Sequence, residues 1–184
     1  MKKNQRLPFV GISSVALLAL GLSASAAEPI SVQEVIDAQE EWGQGIVEIG
    51  EVYTSGGDYT ARATEHLDTL YAYDIGIPVL FKPTLASEDL FRTDFDSALT
   101  YFVGSEEPGH EDDGFAIAPY TNVEFDTEEI FTNGDTAMSM GTYDFTTPEG
   151  EVITVEYSFG YVRDKNGDLR IVLHHSSLPF RPEG

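Results

Sequence analysis

The run "LRIVLHHSSLP", residues 169–179, closes a strand-like stretch with two imidazoles and two hydroxyls before a proline. Such side chains can carry protons, orient water or donate hydrogen bonds to a developing anion. Neighbouring side chains of a strand point to opposite faces. If Ile171 and Leu173 line the interior, His175 and Ser177 continue that line toward a pocket mouth, with His174 and Ser176 on the other face. Strands twist and bulge near their ends, so both serines stay candidates. Two further segments offer polar groups. "FKPT", residues 81–84, sets Lys82 and Thr84 beside a proline-fixed strand end, and "LTYFVG", residues 99–104, offers Tyr101 at a helix end. Structural roles compete: Thr84 as a turn cap, Tyr101 as core, Lys82 as a surface charge. Arg92 either neutralises acidic neighbours or draws an anion into a cleft.

Metal chemistry has weaker support. There are four histidines and no cysteine. Because His174 and His175 face opposite ways, a three-histidine zinc site would need His66, His110 and one of the pair, and no ligand spacing supports that set. "GHEDD", residues 109–113, could hold a hard cation through its carboxylates. A solvated acidic loop is the commoner outcome for such a charge run.

These groups must be positioned by the elements around them. Ser31-Val32-Gln33-Glu34 is a capping box that opens a first helix ended by Ser55-Gly56-Gly57, its one apolar face marked by Val32, Val35, Ile36, Trp42, Ile46, Ile49 and Tyr53. Gly43 and Gly45 weaken that helix by roughly 1 kcal/mol each relative to alanine, or permit close packing. A second helix is predicted from Asp58 to about Tyr73, with Leu67, Leu70 and Tyr71 inward. A short strand follows from Ile77 and is broken at Pro83. Thr93 is the expected cap of a third helix burying Phe95, Leu99 and Phe102. A β meander then turns at "TNGD" (132–135), "TPEG" (147–150) and "DKNGD" (164–168), the Asn-Gly pairs being the stronger signals. Helices first and a long antiparallel sheet afterwards describe an α+β fold, with the helices covering one concave face of a curved sheet and leaving a pocket between.

Composition bounds the setting. Residues 1–27 carry Lys2, Lys3 and Arg6, then a largely apolar stretch and an Ala24-Ser25-Ala26 cleavage signal, so they read as a signal peptide. The chain is expected to be exported, to a periplasm or the external medium, with residues 28–184 as one domain and no membrane association after cleavage. Thirty-two acidic residues against ten basic ones give a formal charge of −22. Such a surface repels nucleic acid and anionic lipid.

The segments "VLFKPTLA" (79–86), "ALTYFVG" (98–104), "DGFAIAPYTNVEF" (113–125), "VEYSFGYV" (155–162) and "GDLRIVLHHSSLP" (167–179) resemble, in order and spacing, the iota-class carbonic anhydrases. That resemblance implies a cone-shaped curved antiparallel sheet packed on about three N-terminal helices. This is the nuclear-transport-factor-like fold shared with the association domain of calcium/calmodulin-dependent protein kinase II. It implies reversible hydration of carbon dioxide to bicarbonate. Members are described both as metal-free and as using a divalent metal; the expectation is no cofactor, with manganese or zinc the alternative. In the metal-free picture a threonine, a tyrosine and a serine hold bicarbonate and water. These fall on Thr84, Tyr101 and Ser176 or Ser177, with His174 and His175 in the matching motif. Proton transfer is assigned to His175, and His174 joins the substrate-binding set. A homodimer formed through the open face of the sheet is the expected assembly. The rival readings are a non-catalytic ligand-binding or oligomerisation module, and a cone-fold isomerase whose carboxylate base would be Asp144 or Glu156.

Overall fold

Ser31 starts α1 (Val32–Thr54) by the expected reciprocal cap: its hydroxyl accepts the Glu34 amide, and the Glu34 carboxylate accepts the Ser31 amide at 2.8 Å. Glu34 also accepts Arg163 Nη2 at 2.7 Å from a strand end far along the chain. The Ser31 amide first, and then Arg163, hold its carboxyl down at about 2. The computed structural model describes residues 28–182, and the expected signal peptide over 1–27 lies outside them.

The inward stripe of α1 is Val35, Gln39, Trp42, Ile46 and Ile49, all buried, while Val32 and Tyr53 at the two ends of the expected face are exposed. Gly45 lies on the same face because α2 (Tyr59–Leu70) packs directly on it. A Cβ at Gly45 would collide with His66 Nδ1. Asp58 caps α2 by accepting the Ala61 amide at 2.9 Å. This helix stops before the expected Tyr73, because Tyr71 is already extended and forms a parallel bridge with Ile171. A 3-10 turn over Ala72–Asp74 follows.

Strand β1 (Leu80–Lys82) leads to α3 (Phe95–Val103). The cap of α3 is Asp94 rather than Thr93, its carboxylate accepting the Ser97 amide at 2.9 Å. Three hairpins then join β2 (Asn122–Asn133), β3 (Thr136–Thr146), β4 (Val152–Arg163) and β5 (Leu169–Ser177), turning where the sequence places them. Gly134 and Gly167 take φ of +62° and +97° in the two Asn-Gly turns, where a side chain would be strained. The sheet order is β1-β5-β4-β3-β2, antiparallel except for the parallel β1–β5 pair, so the ends do not meet and the curved sheet stays open. The helices cover its inner face, giving the α+β cone expected from the sequence. Among the described residues no helix is long and apolar enough to cross a membrane.

One irregularity in β5 decides which of its side chains face the helices. Gly160 pairs with Leu173, but the next residue, Tyr161, pairs with Ile171, leaving Val172 as an extra residue. This β-bulge shifts the alternation of the strand by one position. Ile171 faces inward, and so do His174 and Ser176.

Trp42 occupies the centre of the inner layer. Its ring meets Tyr143 at 5.6 Å, Phe159 at 5.8 Å and His174 at 5.5 Å, each edge to face. Truncating a buried ring of this kind to alanine costs roughly 3–5 kcal/mol. The helix contact at Gly45 is equally specific. Gly45→Ala is expected to lower the unfolding free energy by about 1–3 kcal/mol through overpacking against His66, measured by urea denaturation; an unchanged midpoint would show that α2 can shift aside.

Candidate active site

The bulged end of β5, the end of β1, α3 and the middle of α1 enclose a cavity of about 160 Å³. Its walls are largely aromatic: Trp42, Phe81, Phe102, Phe115 and Phe145. Thr84, Tyr101, Tyr120, Tyr143, His174 and Ser176 supply the polar groups. Leu85, Ile153 and Leu178, all substantially exposed, make an apolar mouth. No carboxylate is among the lining residues.

The cavity therefore gathers Thr84, Tyr101, Ser176 and His174 from the expected set. It does not gather His175 and Ser177, which face the opposite side of the sheet. The simple alternation from Ile171 and Leu173 fails here because Val172 is inserted between two paired positions, so the inward residues are His174 and Ser176. His175 lies in an outer depression with Asp126, Glu128 and Glu156, and the Ser177 hydroxyl donates to Glu156 Oε2 at 3.1 Å. Lys82 is also an outer residue, its Nζ donating to the Ser176 carbonyl at 3.3 Å.

His174 is sealed in the aromatic layer. It stacks on Phe81 at 4.6 Å and meets the edge of Phe159 at 4.3 Å. Burial drives its basicity well below the ordinary histidine range, with His175 and His66 adding smaller repulsions, so the ring is neutral. Tyr71 Oη lies 2.7 Å from its Nδ1, Tyr143 Oη lies 3.4 Å from its Nε2, and Trp42 Nε1 donates to Tyr71 Oη at 3.0 Å. Tyr71, Tyr143 and Trp42 were not among the sequence candidates. The inward alternation of Tyr143 and Phe145 on β3 is a signal that could have found the first of the cavity tyrosines.

Tyr101 reaches the cavity from the last turn of α3 and stacks on Phe115 at 5.5 Å. Burial pushes its hydroxyl far above the usual tyrosine range, so it is a neutral donor; the Leu85 amide, hydrogen-bonded to its oxygen, opposes that shift. The segment carrying Thr84 and Leu85 is held by a buried ion cluster. Arg92, 1 % exposed, donates to Asp112 Oδ1 at 2.8 Å and Glu111 Oε1 at 3.3 Å, and its guanidinium carbon lies 5.9 Å from the centre of the Tyr101 ring. Glu111 also accepts the amides of Ser87, Glu88 and Asp89, and these hold its carboxyl well below the usual range. The "GHEDD" loop is thus a clamp on the wall of the site, in place of the solvated acidic loop expected, and Arg92 neutralises its neighbours.

The histidines do not fit a metal. His66 is in the core against Gly45 with Nε2 unpaired, His174 is committed to two tyrosines, His175 is on the outer face, and His110 Nδ1 accepts the Asp112 amide. Among the described residues no group of three or more histidine or carboxylate side chains is arranged to hold an ion. What remains is an apolar chamber able to admit a small neutral molecule and to donate hydrogen bonds to an oxyanion forming within it.

Residues 33–178 match the family of metal-independent carbonic anhydrases. The chain belongs to that family. The metal-independent carbonic anhydrase of Nostoc sp. is 42 % identical over 154 residues, spanning 82 % of this chain and 75 % of that one. A cyanobacterial iota-carbonic anhydrase, solved in complex with bicarbonate, superposes with a TM-score of 0.79 at 40 % identity, over 84 % of this chain and 95 % of that chain. A calcium/calmodulin-dependent protein kinase II association domain from Xanthomonas campestris shares the fold alone, with a TM-score of 0.55 at 18 % identity over 84 % and 96 % of the two chains. The iota-class resemblance and the cone fold expected from the sequence are both borne out. This carbonic anhydrase belongs to a family that works without metal, and its rival reading as a non-catalytic module falls away.

The two sealed histidines of this carbonic anhydrase make its stability depend on pH with a definite sign. Burial holds His66 down at about 3, Arg62 adding to it, and holds His174 well below its ordinary value. Both bind a proton on unfolding once the pH falls below about 6.5, so the unfolded chain takes up more protons and stability falls with acidification. Each is expected to contribute roughly 1.4 kcal/mol per pH unit below about pH 6. Urea unfolding near pH 6 and pH 5 measures this, and His66→Gln should remove about half of the slope. A slope unchanged in that variant would mean that His66 is protonated inside the fold.

Proposed function

We propose that this carbonic anhydrase hydrates carbon dioxide within the cavity, with Thr84, Tyr101 and Ser176 holding the attacking water and the bicarbonate that forms. One observation carries the reading: hydroxyls from the β1–α3 connection, from α3 and from β5 converge on a single apolar chamber whose lining has no carboxylate. Carbon dioxide is neutral and apolar and needs no charged clamp to enter past Leu85, Ile153 and Leu178. As the water oxygen bonds to carbon, charge develops on the carbon dioxide oxygens and one water proton leaves for solvent. Neutral hydroxyl donors fixed in a dry site stabilise that charge far better than they would in bulk water. The bicarbonate complex of the cyanobacterial relative supports the assignment of product. An isomerase-type carboxylate base has no candidate in the chamber. Asp144 accepts Thr154 Oγ1 at 2.6 Å, and Glu156 accepts Ser177 on the outer face.

Stopped-flow hydration after exhaustive chelation tests the metal-free site. Ser176→Ala, Thr84→Ala and Tyr101→Phe are each expected to lose about a hundredfold in kcat, whereas Ser177→Ala keeps the parent rate. Parent-like rates in the first three variants, or a matching loss in Ser177→Ala, would sink this assignment.

We further infer a homodimer paired through the outer sheet face. Phe131, Met138, Gly160, Leu173 and Leu80 are successive register partners, so one row of apolar or side-chain-free positions crosses all five strands. Phe131, Met138 and Leu80 are 53 %, 48 % and 60 % exposed in the single chain. Contiguous apolar surface of this kind marks an interaction face. Met138→Glu is expected to yield a monomer in sedimentation velocity; a monomeric parent protein would overturn the pairing. Lys2, Lys3, Arg6 and the apolar stretch behind them support export to a periplasm or the medium, with residues 28–184 as one mature domain.

A further inference from the structure

The hydrogen bonds around His174 contain enough information to assign its proton. An indole N–H can only donate, and Trp42 donates to Tyr71 Oη at 3.0 Å. The same oxygen lies 2.7 Å from His174 Nδ1. Trp42 and Tyr71 are fully buried and His174 is 2 % exposed, so no solvent is at hand to satisfy a stray proton. With the indole proton already on its oxygen, Tyr71 satisfies its own proton by donating it to Nδ1. Nδ1 is then the acceptor, and the neutral ring carries its proton on Nε2. Nε2 lies 3.4 Å from Tyr143 Oη and donates to it. Tyr143 lines the cavity beside Ser176, so its own proton is left to point inward.

The opposite assignment fails at both ends. A proton on Nδ1 would aim two donors at the Tyr71 oxygen and leave the phenol proton without an acceptor in a dry layer. Nε2 would become a lone pair that draws the Tyr143 proton away from the cavity. We propose that Trp42 and Tyr71 are positioning residues that lock His174 in its Nε2–H tautomer, so that Tyr143 presents its hydroxyl proton to the cavity as a donor alongside Thr84, Tyr101 and Ser176. The proton assignment stands on the geometry alone; its consequence for rate rests on the hydration reading above. Preorganised donors are effective because they need no reorientation as charge develops.

The experiment is long-range ¹H–¹⁵N NMR of the full chain carrying ¹⁵N-labelled histidine, with hydration kinetics on the same samples. The parent protein is expected to show His174 with an unprotonated Nδ1 and a protonated Nε2. Tyr71→Phe is expected to lose that single-tautomer signature and roughly tenfold in kcat with little change in KM, the scale seen when an orienting partner of a site histidine is removed. Tyr143→Phe should lose at least as much, and the double variant no more than Tyr143→Phe alone, since both act through one donor. A protonated Nδ1 in the parent would overturn the proposal, as would an unchanged tautomer in Tyr71→Phe or additive losses in the double variant. If Tyr71→Phe fails to fold, the parent spectrum still decides. An Nε2–H signature in a protein without hydration activity would uphold the tautomer lock and remove the hydration reading instead.

Discussion

A single inserted residue, Val172, sets which side chains of the terminal motif meet the cavity. Side chains of a strand alternate with a period of two, so one unpaired position exchanges the faces of everything beyond it. Tyr161 pairs with Ile171 and Gly160 with Leu173, and past that point His174 and Ser176 turn inward while His175 and Ser177 turn out. The neighbouring strand accommodates the distortion at Gly160, where a Cβ would stand 2.9 Å from the Leu173 Cβ. Without the bulge, an exposed histidine and a carboxylate-bonded serine would be the residues aimed at the aromatic layer. Opposite Phe159 the His174 ring would be replaced by Leu173, and opposite Tyr157 the Ser176 hydroxyl would be replaced by His175.

That aromatic layer dictates the kind of chemistry the cavity can hold. A charged group placed among Trp42, Phe81, Phe102 and Phe115 would be strongly penalised by desolvation, and the groups present avoid this by being neutral. Burial raises the hydroxyls of Tyr101 and Tyr143 and lowers the imidazole of His174, keeping all three uncharged. The abundant acidic residues stay outside or are neutralised locally, as Glu111 and Asp112 are by Arg92. A neutral substrate that becomes an anion suits such a site, because hydrogen-bond donors cost little before the reaction and gain strength as charge appears.

Local signals were legible in the sequence and long-range ones were not. The Ser31–Glu34 cap and the Asn-Gly turns depend on residues within a few positions of each other, and each occurs where the pattern places it. The shift of the α3 cap from Thr93 to Asp94 is a choice between two adjacent good caps. Thr84 and Tyr101 were candidates from their own segments and took roles only from the iota-class resemblance, while Ser176 could be separated from Ser177 only by cross-strand register. The Arg92 clamp joins residues about twenty positions apart through a buried charge, which no periodicity announces. Trp42 and Tyr71 lie 29 positions apart, and Tyr71 and His174 lie 103 apart, so that network exists only once the sheet has curved over the helices.

The same inserted residue also shapes the outer face. By turning His174 inward it turns Leu173 outward, into register with Gly160 on one side and Leu80 on the other. The apolar row from Phe131 to Leu80 runs through Leu173 at that position. In an unbulged strand that kept Tyr161 on Ile171, Val172 would face Gly160 and His174 would turn outward opposite Ser158, setting a titratable ring beside the surface proposed to pair. Site and interface are therefore not independent features of this sheet. One residue inserted between Leu173 and His174 would turn His174 and Ser176 outward and put His175 into the cavity in their stead, whereas loss of Val172 itself would leave every face as it is, so it is the spacing beyond the bulge that both faces constrain.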